Sequence, residues 1–273
     1  MLSREINVLA EEMQNSLSSN PHHYVIQWLL PFLLLFAWQV AASYGMLDND
    51  VLPSPMAVLH AASKLTFSGE LFYHASVSSA RALGGLIIGG GIGFTFGLVN
   101  GISHLSEELT NTTLQMIRNI PHLALIPLVI LWFGIGEPAK LFLVSLGVLF
   151  PIYLNTLHGI KNIDPHLLEM GRNYGLNKKA LFWEIIFPGA LPSIFVGLRF
   201  SLGIMWLTLI VAETISADSG IGYMAMQARE FMQLDVVVLA IIIYALLGKL
   251  ADIITRLFER RLLSWHPSFN TYY

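Results

Sequence analysis

Glu169-Met170-Gly171-Arg172-Asn173-Tyr174-Gly175, followed after nine residues by Ile185-Ile186-Phe187-Pro188, is the stretch that decides how this chain is read. It lies between two strongly apolar segments, in the most basic hydrophilic part of the sequence, beside Lys161, Arg172, Lys178 and Lys179. A short helix, a glycine break, a second helical turn and a proline stop predict a compact knob at the end of a helical bundle. A membrane subunit needs such a knob if a soluble motor protein is to push on it.

The rest of the composition supports a membrane setting. Of the 273 residues, 55% are hydrophobic and 12% charged, where a soluble domain carries about 25% charged residues. The net charge is −3, which leaves no nucleic-acid footprint. Cysteine is absent, which excludes disulfides and thiolate metal sites. The first residues carry Glu5, Glu11 and Glu12 and lack an apolar core, so they do not read as a cleavable signal peptide. Leu2, Ile6, Leu9 and Met13 follow helical spacing, which fits either an amphipathic surface helix or a frayed terminus. Residues 1–24 are therefore set apart as an N-terminal cytoplasmic segment, and 25–273 as a single transmembrane domain whose loop 161–190 is cytoplasmic.

A membrane helix needs roughly 20 mostly apolar residues, and the sequence predicts about six: Ile26–Tyr44, Ala82–Ser103, Ile120–Ile135, Leu141–Ile160, Leu191–Ile215 and Leu234–Ala251. The fold class is all-α and polytopic. Leu52–Ser79 reads as too polar to cross, with a surface segment starting at Pro53-Ser54-Pro55. Lysine and arginine favour both termini in the cytoplasm. The predicted inner side holds Arg4, Arg118, the four basic residues of the loop, Lys249, Arg256, Arg260 and Arg261. The outer side holds Lys64, Arg81, Lys140 and Arg229.

Three features stand out inside the predicted spans. Gly85, Gly89, Gly93, Gly97 and Gly101 recur every four residues. They form one slowly drifting stripe along which helix backbones can approach closely. It serves either packing within the chain or sliding against a neighbour. Arg199, Trp206 and Glu213 are spaced by seven and share one helix face. This face reads as a cationic and aromatic lining for an anionic solute. Alternatively Arg199 snorkels or pairs locally, and Glu213 makes a structural ion pair or cap near the outer loop. The third span is broken by Pro121 and Pro127, which places Asn119 and His122 as candidates beside a pathway, as broken helices often are.

No catalytic constellation is present in the sequence. The histidines form no metal signature, and no His-Glu-x-x-His occurs. A Gly-x-x-x-x-Gly-Lys-Ser/Thr loop is likewise absent, so any ATP and its Mg are expected on a partner and no cofactor in this chain.

The loop resembles the signature loop of permease subunits of bacterial ABC importers, which reads Glu-Ala-Ala, three residues, Gly, nine residues, Ile-x-Leu-Pro. The spacing matches, with Met170 and Gly171 in place of the alanines and Phe187 in place of the leucine. Leu52-Pro53-Ser54-Pro55, Arg118–Gly136 and Val211–Tyr223 are similar to the nitrate, sulfonate and taurine branch. Arg118–Gly134, Pro151-Ile152-Tyr153 and Trp206–Glu213 look most like its aliphatic-sulfonate members.

That resemblance implies a subunit of an inner-membrane importer that moves a small organic anion, most readily aliphatic sulfonates. Taurine, nitrate or bicarbonate remain alternatives within the branch, and an ion-gradient transporter outside it. It also implies a second copy of the chain, two ATPase subunits and an extracytoplasmic solute-binding protein. The coupling residues would be Glu169, Met170, Gly171, Gly175, Ile185 and Pro188.

Overall fold

The computed structural model describes residues 21–48 and 51–265, and within them every regular element is helical. The predicted surface helix through Leu2 and Met13 lies outside the described residues. The helices are α1 (Pro21–Ser43), α2 (Pro55–Phe67), α3 (Glu70–Ile102), α4 (His104–Arg118), α5 (Ile126–Phe133), α6 (Glu137–Lys161), α7 (Pro165–Asn173), α8 (Lys178–Leu181), α9 (Phe187–Ser216), α10 (Ile221–Glu230) and α11 (Leu234–Leu262).

Four helical runs are long and apolar enough to cross a membrane: Glu70–Ile102, Glu137–Lys161, Lys178–Ile215 and Leu234–Leu262. They extend beyond the predicted spans, because a helix keeps its backbone bonds where it leaves the hydrocarbon. The segment predicted to lie on the surface up to Ser79 is divided accordingly. Pro55–Phe67 forms a separate helix, capped by the Ser54 hydroxyl on the Ala57 amide at 3.2 Å. Residues from Glu70 onward already belong to α3.

The predicted third span is no single helix. A 3₁₀ turn, His122–Leu125, leads into the eight residues of α5, and together they are bent by 77° from α4. Pro121 and Pro127 withhold the amides that a continuous helix would need there. The predicted first span corresponds to α1, of which the apolar section Leu29–Ser43 is short for a crossing.

The glycine positions fix the topology. A Cβ added at Gly85 would meet Val144, one at Gly93 would meet Leu149, and one at Gly101 would meet Ile160. Contacts advance together along both helices, so α3 and α6 run parallel. The intervening chain, α4 through α5, must therefore carry the backbone to the opposite face. Helix α9 returns antiparallel to α6: Gly159 faces Ala190 and Gly197 faces Asn155. Helix α11 is antiparallel to α9, with Tyr244 against Glu213 and Glu259 against Arg199.

Ala82, Val144, Val148, Leu202, Met205 and Leu209 fill the space between α3, α6 and α9. The ends of α3, α6 and α11 and the start of α9 share one face. The opposite face carries α2 and α10, where Val58 and Ala61 pack on Leu239.

Candidate functional site

The knob is built by a chain of local caps. Asp164 accepts the His166 amide at 2.9 Å and Pro165 opens α7. Gly175 then turns the chain with φ +83°, a left-handed conformation open to a residue without Cβ. Asn177 caps α8 through the Ala180 amide at 2.9 Å. The turn Phe182–Ile186 widens to a π-helix, whose Phe187 amide reaches back to the Phe182 carbonyl. Pro188 explains the widening, since its ring would crowd the Glu184 carbonyl in a tighter turn.

The two halves of the knob meet at Gly171, which is buried. A Cβ there would lie 2.6 Å from Ile185 Cδ1 and 2.8 Å from Leu181 Cδ1. Glu169 is exposed. Leu167, Met170, Tyr174 and Trp183 are large apolar side chains turned outward, from 45% exposure at Leu167 to 82% at Tyr174. The knob therefore presents an apolar surface that the described residues leave uncovered.

The glycine stripe of α3 faces α6. A Cβ at Gly89 would sit 2.0 Å from the Ser145 carbonyl oxygen, and one at Gly97 2.7 Å from that of Tyr153. These are backbone atoms and cannot step aside. The Ser145 hydroxyl donates to the Gly85 carbonyl at 3.2 Å, a bond that the close approach allows.

Arg199, Trp206 and Glu213 do share one face of α9, and α11 covers it. The Arg199 guanidinium donates through Nη2 to both carboxylate oxygens of Glu259, at 2.5 and 2.6 Å. Trp206 packs edge-on to Tyr244. Glu213 is 1% exposed and accepts bonds from four groups on three helices, α3, α10 and α11. These come from Ser78 Oγ at 2.8 Å, Arg81 Nη1 at 2.8 Å, Tyr244 Oη at 2.8 Å and the Gly222 amide at 2.9 Å. Arg81 also holds Glu137, through Nε at 2.7 Å and through Nη2, and it reaches the Ser219 carbonyl at 2.5 Å.

This network ties α3, α6, α9, α10 and α11 together at the face opposite the knob. Sequence reasoning placed Arg81 only among the basic residues of the outer side and missed Ser78, Glu137, Tyr244 and Glu259. The charged residues in apolar surroundings were the available signal. Their pairing across 132 positions was not.

Open space lies elsewhere. A cavity of about 300 Å³ is lined by Arg118, His122, Gly147, Asn155, Phe200 and Ile204, among others. His122 Nε2 lies 3.0 Å from Thr208 Oγ1. Gly147 permits this, since a Cβ there would lie 3.0 Å from the same Thr208 oxygen. Asn119 caps α4 with its backbone amide and does not line the cavity. Of the five proposed pathway residues, the structure thus brings His122 to open space and sets Arg199, Trp206 and Glu213 in a helix interface.

Residues 85–264 match the family described as the binding-protein-dependent transport system inner membrane component. The chain belongs to that family. The permease is 61% identical over 246 residues to an Escherichia coli protein named for aliphatic sulfonates transport, the permease SsuC. That match covers 90% of this chain and 94% of the relative. It is 44% identical to the Bacillus subtilis protein of the same name, over 88% of this chain and 87% of that one. Identity to the E. coli taurine transport system permease TauC is 33%, over 86% and 87%.

A crystal structure of an amino acid ABC transporter with histidines superimposes with a TM-score of 0.55 at 18% identity. It covers 73% of this permease and 97% of that chain, and shows the shared fold. The chain is thus an inner-membrane transport subunit, which works with an ATPase and a substrate-binding protein.

Proposed function

We propose that this permease moves aliphatic sulfonates into the cell, as one of two copies arranged about a two-fold axis. The carrying observation is its 61% identity, over 90% of its length, to a protein named for aliphatic sulfonates transport. In this reading the knob face is cytoplasmic. Lys161, Arg172, Lys178, Lys179, Arg256, Arg260 and Arg261 gather there, as the positive-inside rule expects. Two ATPase subunits, which hold the ATP and Mg, cover the exposed Met170, Tyr174 and Trp183. A solute-binding protein docks on the opposite face.

The mechanism is a biased two-state switch. ATP draws the motor subunits together, and each pushes on the knob formed by α7 and α8. The push passes along α9, which continues from the knob without a loop. The inner mouth closes and the outer one opens to the binding protein, and hydrolysis resets the assembly. Two copies are needed because a single small bundle gives a pathway only one wall, and symmetry supplies the other.

Reconstituted complexes tested for ATP-driven uptake of labelled alkanesulfonate, taurine and nitrate decide the substrate. Sulfonate uptake above the other two is expected. Uptake of taurine or nitrate alone would move the assignment to a neighbouring branch.

A further inference from the structure

We propose that the cavity between the broken segment, α6 and α9 is a transient binding site for the alkanesulfonate during its crossing, with Arg118 holding the head group. This rests on the sulfonate-import reading above, and adds a site inside the membrane domain.

The position fits a way-station. The lining residues Gly147 to Asn155 lie midway along α6, and Phe200 and Ile204 lie midway along α9. The third wall is the helix break at residues 119–122, where backbone irregularity is tolerated beside a cavity. At about 300 Å³ the space is at the small end for a ligand site.

The lining offers both kinds of contact that the solute needs. Arg118, His122 and Asn155 bring donors. Arg118 is exposed to the cavity and forms no ion pair among the described residues. This sets it apart from Arg81 and Arg199, whose guanidinium groups are taken up by Glu137, Glu213 and Glu259. The Asn155 amide nitrogen gives one N–H to the Pro151 carbonyl at 2.9 Å and keeps its second. His122 carries a further ring nitrogen beyond the one at Thr208. The remaining wall is apolar, with Phe150, Phe200 and Ile204.

A sulfonate stays ionised at physiological pH and needs donors or a cation wherever water is thin. Its alkyl chain needs an apolar flank. An inorganic anion would satisfy the first requirement and leave the second without purpose. One cation per chain also suits release, since a cluster would hold the anion too tightly.

The test uses the reconstituted permease with its ATPase and binding protein. Uptake of labelled ethanesulfonate and octanesulfonate is measured beside ATP hydrolysis stimulated by the loaded binding protein. Arg118→Gln should lower uptake of both by roughly tenfold or more, the scale of one charge-assisted hydrogen bond. Stimulated hydrolysis should survive, and Arg118→Lys should restore part of the uptake. Ile204→Trp, which fills the apolar wall, should depress octanesulfonate uptake far more than ethanesulfonate uptake.

Wild-type uptake by the Gln variant overturns the proposal, as does equal loss of both solutes in the Trp variant. If the Gln variant does not assemble, the chain-length split in the Trp variant decides alone. A wild-type complex that imports no sulfonate overturns the import reading, and this site with it.

Discussion

Gly171 and Ile185 touch across the knob: a Cβ at the glycine would lie 2.6 Å from the isoleucine Cδ1. The two residues come from different helices, and their contact turns α7 and the root of α9 into one body. A push on the exposed Met170 and Tyr174 can reach α9 only while that body is solid. Gly171→Ala should be tolerated, because the neighbouring atoms are flexible methyl ends. Gly171→Phe should cost about 1–3 kcal/mol locally and separate ATP hydrolysis from uptake. Parallel assays of the two activities check this, and full uptake by the Phe variant would remove the knob from the coupling route.

Gly175 makes a separate prediction. Its φ of +83° has open space around it, so a substitution there is penalised by the backbone alone. Gly175→Val should strain the turn by about 1–2 kcal/mol and abolish transport while membrane insertion persists. Gly175→Asn, which accepts this conformation more readily, should recover much of the uptake. Equal activity in all three proteins would mean that the turn's geometry does not matter for coupling.

The glycine stripe of α3 contains its own control. Gly89 abuts the Ser145 backbone, whereas a Cβ at Gly91 meets nothing within 4 Å. Gly89→Ala should lower the melting temperature of the detergent-solubilised permease clearly, since two backbones must separate. Gly91→Ala should leave it unchanged or raise it slightly, because glycine is a poor helix former. Melting curves followed by size-exclusion chromatography separate the two, and an equal response would place the stripe outside the α3–α6 contact.

Arg199 and Glu259 invite a double-mutant cycle. If their bond is the role of Arg199, then Arg199→Gln and Glu259→Gln should each destabilise the protein, by leaving a charge without its partner. The double variant should lose less than the sum, with a coupling of about 0.5–3 kcal/mol. Additive losses in stability, with uptake lost through Arg199 alone, would instead return Arg199 to the solute pathway.

Glu213 predicts a graded series. Glu213→Ala leaves Arg81 to Glu137 alone among the acids and takes the buried acceptor from Ser78, Tyr244 and the Gly222 amide, at about 1–3 kcal/mol for each donor left unsatisfied, enough to deplete the protein from the membrane. Tyr244→Phe removes one of four donors to the same carboxylate and should cost about 1 kcal/mol. Quantifying folded protein in solubilised membranes tests the order, and equal tolerance of both changes would mean that the network carries little of the packing.

The amino-acid sequence by itself determined the class, most of the spans and the site of the knob. Those features are local: a run of apolar residues, a glycine that permits positive φ and a proline that stops a helix act through their own backbone. Periodicity also identified the face carrying Arg199, Trp206 and Glu213, and the stripe from Gly85 to Gly101. Only the tertiary structure decided what lies opposite them. Glu259 is sixty positions from Arg199, and the same spacing along α9 would line a pathway if another neighbour packed there. Whether a membrane arginine is a ligand or half of an ion pair depends on which acid the fold brings within bonding distance. The parallel course of α3 and α6 is likewise invisible in either helix alone. It follows from the glycine stripe of α3 meeting α6 in register from Gly85 to Gly101, and it is what forces the broken segment across the membrane and opens the cavity beside Arg118.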